Sequence, residues 1–168
     1  MARQHTSLIS LEPYAEKDLP LLERSNTPEM TEHLGGPDTQ NQLELRLDRY
    51  VAATTDHTRM FKVIVDGVPA GGVGFWEREW QGAQVYETGW GVFPEFQGRG
   101  IATRAMQLLI PIARAAQRHE SMHAFPSVDN GPSNAICRKL GFERLGESEF
   151  EYPKGHWMQC NDWLLSLS

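Results

Sequence analysis

Between Val92 and Thr103 the chain reads Val-Phe-Pro-Glu-Phe-Gln-Gly-Arg-Gly-Ile-Ala-Thr, with Gly98 and Gly100 flanking Arg99 where an apolar strand pattern gives way to a helical one. The chemistry that suits such a junction is anion binding. A helix start offers unpaired N–H groups and the positive end of a macrodipole, and residues without bulk let a diphosphate approach the backbone. Arg99 adds a fixed positive charge. A P-loop would end in Gly-Lys-Ser/Thr, which is absent, and a dinucleotide fingerprint would carry Gly or Ala where Thr103 stands. The run reads as a pyrophosphate cradle.

Gln97-Gly98-Arg99-Gly100-Ile101-Ala102 resembles the Gln/Arg-x-x-Gly-x-Gly/Ala motif of the GNAT superfamily of N-acetyltransferases. Two further blocks stand in the right order. Asn130-Gly131-Pro132-Ser133, continuing to Lys139-Leu140-Gly141-Phe142, is similar to the family's Asn-x-x-Ser/Ala helix and its Lys-x-Gly-Phe close. Tyr86-Glu87-Thr88-Gly89-Trp90-Gly91-Val92 resembles the fourth strand of the ribosomal-protein-alanine acetyltransferase-like branch. The resemblance implies a single N-acetyltransferase domain over residues 1–168. Its expected fold is α/β (α+β), a mixed, mostly antiparallel central sheet of about seven strands flanked by helices. It also implies acetyl-CoA as cosubstrate and no metal, with the pyrophosphate on Gln97, Gly98, Arg99, Gly100, Ile101, Ala102 and Thr103. The pantetheine arm is then expected along the strand near Val92 and against Asn130.

Acetyl transfer from a thioester to an amine requires the reactants to be held together, the amine to lose a proton, and charge on the attacked carbonyl to be stabilised. Glu87 is the candidate base, because Glu87, Gly89 and Gly91 share one strand face that carries little bulk. The competing reading is a structural glutamate bonded to backbone or an arginine. Ser133 is the candidate proton donor to the departing thiolate, and equally a helix cap, as is Asn130. Many members of the resembled family place a tyrosine acid where Cys137 stands, so bulk water is a further candidate donor. Among the five tryptophans, some could form a wall for a cationic amine, while core packing accounts for most. His119 and His123 have helical metal-ligand spacing but straddle the expected end of a helix and lack a third ligand, so no metal is assigned.

With 16 Lys and Arg against 22 Asp and Glu, the net charge of -6 argues against general nucleic-acid binding and tolerates a cationic substrate. Composition is that of a soluble globular protein. Two cysteines without metal spacing favour a reducing cytoplasm, and the apolar run Leu8 to Leu11 is too short for an export signal or a membrane span. The expected partner is a small-molecule amine or a peptide N-terminus, with no nucleic acid and no membrane, in a monomer or homodimer. A non-catalytic acyl-CoA sensor or scaffold of the same fold is the alternative.

The elements that must position these residues follow from periodicity. Strands are expected over Leu8 to Glu12, Met60 to Val65, Val68 to Trp76 and Gln84 to Val92, with hairpin turns at Asp66-Gly67 and Trp80 to Ala83. Helices are expected from Ala15 to Ser25, from Asn26 to Leu34 and from Gln40 to Ala53. The resemblance makes these segments a lid over the acceptor site, whereas their apolar stripes fit a plain layer packed on the sheet equally well. After the cradle, Ile101 to about His119 reads as a helix kinked at Pro111, followed by a strand from Met122 to Ser127 and a helix from Ser133 to Leu140. Two last strands, Phe142 to Phe150 and Trp157 to Leu165, flank a turn at Pro153-Lys154-Gly155.

Overall fold

The computed structural model describes residues 6–151 and 154–168. Its centre is an eight-stranded sheet. Strands β1 (Ile9–Pro13), β3 (Thr58–Val65), β4 (Val68–Trp80), β5 (Ala83–Val92), β6 (Ser121–Ala124), β7 (Glu143–Glu151) and β8 (Trp157–Ser166) lie in the order β1-β3-β4-β5-β6-β8-β7. The short β2 (Thr54–Thr55) pairs with the start of β3. Every pairing is antiparallel except β5 with β6. The expected mixed, mostly antiparallel sheet is therefore present, with β2 as the addition, because two residues carry no periodicity to read.

The turns follow the residues that make them. Asp66 and Gly67 both have positive φ, 49° and 83°, as do Gln81 and Gly82, at 51° and 82°, the geometry that matches the twist of a two-residue hairpin. Part of the last expected turn, Pro153, lies outside the described residues.

Each sheet face buries its own apolar set. Helix α4 (Ile101–Ala116) covers one, packing Ala105, Met106 and Leu109 onto Val73, Phe75 and Tyr86. Helices α1 (Leu19–Ser25) and α3 (Gln40–Ala52) cover the other, with Leu22, Leu43 and Leu47 against Met60 and Tyr14. Alternation along β5 divides the two sets, since Tyr86 and Thr88 point to α4 while Glu87, Gly89 and Gly91 face the opposite side. Thr39 caps α3 by accepting from the Gln42 amide at 3.2 Å, and the Gln42 side chain returns to the Thr39 amide at 2.7 Å.

Several expected boundaries shift. The segment Ala15 to Ser25 opens as a 3₁₀ turn (Glu16–Asp18) before α1, and Asn26 to Leu34 is a helix α2 (Pro28–Thr31) tightening into 3₁₀ geometry over Glu32–Leu34. Helix α4 passes through Pro111 as one helix and ends at Ala116, short of His119, because Gln117 turns left-handed at φ 51°. Pro111 is exposed, so water can satisfy the carbonyl its missing N–H leaves free. Strand β6 stops at Ala124, and helix α5 (Gly131–Lys139) starts two residues before the expected Ser133.

Candidate active site

The cradle forms as a left-handed step into α4. Gly98 and Gly100 have φ of 73° and 71°, a region where a side chain costs about 1–2 kcal/mol. A Cβ at either position would meet nothing within 4 Å, so the loop is open above both. Gln97 turns back to donate from Nε2 to the Val92 carbonyl at 3.0 Å, fixing the loop to the strand that feeds it. Arg104 N closes the first helical turn onto Gly100 O at 3.1 Å, and the amides of Ile101, Ala102 and Thr103 precede that bond. The guanidinium of Arg99 is exposed, reaching the Ser7 hydroxyl at 3.4 Å. Arg104, in the first turn of α4, donates to Ser7 O at 2.5 Å and adds a second cation beside the loop.

Next to the loop, β5 has an open edge. It pairs with β4 along its length to Val92, but with β6 only at Tyr86–Met122 and Glu87–His123. From Thr88 to Val92 the edge towards β6 has no strand partner among the described residues. An extended amide-bearing chain could add there as a further strand, because the edge presents unused N–H and C=O groups.

On the far side of this edge lies a cavity of about 660 Å³. Its floor is Gly72, Gly89 and Gly91, and its walls include Tyr14, Tyr50 and Trp76. Small residues are required beneath these rings: a Cβ at Gly72 would stand 2.3 Å from the Tyr14 hydroxyl, and one at Gly89 3.1 Å from Trp76. The rim is tied shut on itself. Asn26 Nδ2 donates to Asp38 O at 2.9 Å, Asp38 N donates to Asn26 Oδ1 at 2.7 Å, and the Asp38 carboxylate accepts from Arg46 of α3 at 2.5 Å. Arg24, at the end of α1, pairs with Glu95 and lies 4.1 Å from the Phe93 ring centroid, linking this layer to the cradle.

Glu87 shares a sheet face with Gly89 and Gly91, directly across the ladder from Trp76 and outside the cavity's lining, and its Oε1 accepts from Arg78 NH1, the arginine bond of the competing structural reading. Arg78 is held in turn by the rings of Trp80, Phe125 and Phe150, at 5.3, 5.1 and 4.6 Å from their centroids. Asn130 caps α5, its Oδ1 accepting from the Ser133 amide at 3.2 Å, which leaves its Nδ2 for another acceptor. Cys137 is fully buried in the core, where desolvation pushes its thiol up to about 12. His119 and His123 do not converge. His119 Nε2 meets Glu77 at 2.6 Å, and His123 Nδ1 meets Asp162 at 2.6 Å. Among the described residues no three His, Cys, Asp or Glu side chains gather as a metal site.

A family model described as an acetyltransferase (GNAT) domain matches residues 9–143. The chain belongs to the GNAT family. It is 29% identical over 82 residues to the "Uncharacterized N-acetyltransferase YnaD" of Bacillus subtilis (strain 168), a match spanning 49% of this chain and 45% of that protein. The match thus covers about half the length of that curated relative. Among solved structures, an acetyl transferase of Salmonella typhimurium that modifies the N-terminal serine of 50S ribosomal subunit protein L7/L12 superimposes with a TM-score of 0.81 at 20% identity. That superposition covers 98% of this chain and 97% of the other. YncA of Salmonella typhimurium, a putative acetyltransferase solved with acetyl-CoA, gives 0.77 at 22% identity over 95% and 94% of the two chains. Both share the fold.

Within this GNAT domain, several residues that shape the site escape a motif reading. Asn134 is one: its Nδ2 donates to Ser127 O at 3.0 Å and to Asn130 O at 2.8 Å. Its Oδ1 accepts from Asn161 at 2.8 Å and from Trp163 Nε1 at 2.9 Å. All its hydrogen-bonding capacity is used, so it fixes α5 and the Asn130 turn against β8. Arg78 and Tyr14 are the others, and only their positions on β4 and beside β1 bring them to the site. The Lys62–Asp18 ion pair, buried at 2.9 Å, anchors the turn that carries Tyr14, since Asp18 also accepts from Ala15 N at 2.7 Å. No helix among the described residues is long and apolar enough to cross a membrane.

Proposed function

We propose that this chain is an acetyl-CoA-dependent N-acetyltransferase that moves an acetyl group to a primary amine, a small molecule or a protein N-terminus, by direct attack in a ternary complex. The observation that carries this reading is the open edge of β5, which joins the glycine cradle at one end and borders the glycine-floored cavity along its side. Together they fit a long thioester carrier with a diphosphate at one end and an amine waiting at the other. Bound there, acetyl-CoA would supply the activated acetyl thioester. The cradle amides from Gly98 to Thr103, with Arg99, hold the diphosphate, Gln97 keeps the loop on β5, and the Val92 end of the strand receives the arm.

Glu87 takes the amine proton through a water on its Oε2 side, while Arg78 holds Oε1. The amine nitrogen forms the new bond to the acetyl carbon as the carbon–sulfur bond breaks, and the proton lost by nitrogen balances the one gained by the thiolate. Ser133 or solvent supplies that proton, and Asn130 Nδ2 steadies the arm. The deeply buried Cys137 thiol is a poor candidate for a covalent relay. We place the whole chain, as one domain, in the cytoplasm, acting as a monomer or homodimer. Purified protein given acetyl-CoA and a panel of amines and peptides should release free thiol and acetylated product together. Acetyl-CoA binding without turnover of any amine would instead identify a sensor.

A further inference from the structure

We infer that the acceptor is a primary amine that also carries an anionic group, and that Arg49 at the cavity rim reads that group. The inference rests on the cavity being the acceptor site. Its starting point is a mismatch of charge: the chain is acidic, with a net charge of -6, yet the charged side chains lining the cavity are one aspartate, Asp38, and two arginines, Arg46 and Arg49. Asp38 and Arg46 neutralise each other at 2.5 Å. The cavity is left with the charge of Arg49, whose guanidinium has no ion-pair or hydrogen-bond partner among the described residues. A polycationic acceptor would have to bring further positive charge beside it. A carboxylate or a phosphate would instead find a planar, permanently charged donor able to bind two oxygens at once.

An exposed arginine alone would be ordinary, and Tyr14 supplies the second observation. It is buried, at 8% exposure, and its hydroxyl has no hydrogen-bond partner among the described residues although it lines the same cavity. The hydroxyl oxygen opens onto the cavity, where water or an occupant is its partner. Gly72 makes room for that hydroxyl on the floor, directly across the ladder from Gly91 and hence beside the open end of β5. Burial above all, then the nearby Tyr50 and Asp18, pushes the phenol pKa upward, so it stays a neutral donor and acceptor. Tyr50 connects the two groups: its ring lies 5.1 Å from that of Tyr14, and its backbone neighbour on α3 is Arg49. One wall therefore offers a hydroxyl on the floor and a guanidinium at the rim, the latter for the anion.

The test is a set of matched amines with acetyl-CoA: β-alanine against β-alaninamide, phosphoethanolamine against ethanolamine, and spermidine as the polycation. Acetyl-CoA binding is followed separately by calorimetry. Expected is a preference in kcat/KM of about tenfold or less for an anionic member over its neutral partner, the size of a partly screened ion pair, and it should shrink as salt is raised. The β-alanine and phosphoethanolamine arms tell carboxylate from phosphate. Arg49→Gln should bring the ratio to about one through KM, Arg49→Lys should retain part of it, and Tyr14→Phe should raise KM for both members of a pair. Spermidine preferred over the anionic amines, or a preference that survives Arg49→Gln, would overturn the inference and leave the acetyltransferase reading standing. Acetyl-CoA binding with no amine acetylated would overturn that reading and this inference together.

Discussion

The two sides of β5 are built in opposite ways. On the cradle side, every required feature comes from one stretch: the left-handed Gly98 and Gly100, the Gln97 clasp on Val92 and the first turn of α4 are all local. On the cavity side, Tyr14, Asp38, Arg49, Trp76 and Gly91 come from five separate segments and meet only because the sheet and the α1–α3 layer bring them together. The cradle is thus a device a short sequence can carry whole, suited to a constant cosubstrate. The cavity can change its wall residues without disturbing the cradle, which suits an acceptor that differs from one GNAT protein to the next.

The sharpest way to separate the two sides is to break each in turn. Glu87→Gln on the cavity side keeps the side chain's shape and an acceptor for Arg78 but cannot take a proton. Its kcat should fall by about 10²- to 10⁴-fold with acetyl-CoA affinity little changed, and raising pH should partly rescue it. Near-normal kcat across the pH range would make Glu87 structural. On the cradle side, Gly100→Val forces a β-branched residue to a φ of 71° and puts bulk over the open loop. Acetyl-CoA affinity measured by calorimetry should drop by about 100-fold, or about 2.8 kcal/mol, while the thermal transition moves far less. An unchanged affinity would reject the cradle.

That difference also governs what could be read from the sequence. The glycine run, the hairpin turns at Asp66-Gly67 and Gln81-Gly82, and the apolar stripe of α4 all announce themselves within a few residues, so the sheet and the glycine loop that opens α4 were legible. The face shared by Glu87, Gly89 and Gly91 was legible too, from period-two alternation. Its contents were not: Arg78 reaches Glu87 only through strand register, and Tyr14 crosses above Gly72 only because β1 lies beside β3. Asn130 carries a cap and a motif in the same side chain, whereas Asn134, four residues on, carries the network. Nothing in the spacing distinguishes them, since burial of Asn134 against β8 is a tertiary fact. The end of α4 was misread because no glycine or proline marks the stop: the stripe closes at Ala116, and it is Gln117 that turns left-handed.

A smaller effect concerns the junction between β4 and the end of α4. Burial works to raise the Glu77 pKa, but hydrogen bonds with His119, His57 and Arg118 outweigh it and hold the group at about 2, against an ordinary 4.5. A carboxylate whose folded pKa is depressed contributes stability above its unfolded pKa and loses it as pH falls towards the folded value. Glu77→Gln should therefore lower the melting temperature at pH 6, with the gap to the unaltered protein closing from about 4.5 down towards 2. A gap that stays constant over that window would deny the linkage. Smallest of all should be the effect of Cys137→Ala on turnover. The thiol lies in the core with its pKa pushed up to about 12, so activity should remain within about threefold, and intact mass with acetyl-CoA alone should show no acetylated protein. An acetyl group on Cys137 that passes to an amine would replace direct transfer with a relay.

The most direct measurement puts both sides of β5 in one experiment. Acetyl-CoA and an acceptor amine are incubated with the protein, free thiol and acetylated amine are quantified together, and the same is done with Gly91→Leu. A Cβ at Gly91 would meet nothing within 4 Å, so the leucine should be accommodated and should project into the cavity while the cradle is untouched. The account predicts one acetylated amine per thiol released and a loss of that transfer in Gly91→Leu with acetyl-CoA affinity retained. Thiol released without acetylated amine, or full transfer in Gly91→Leu, would contradict it.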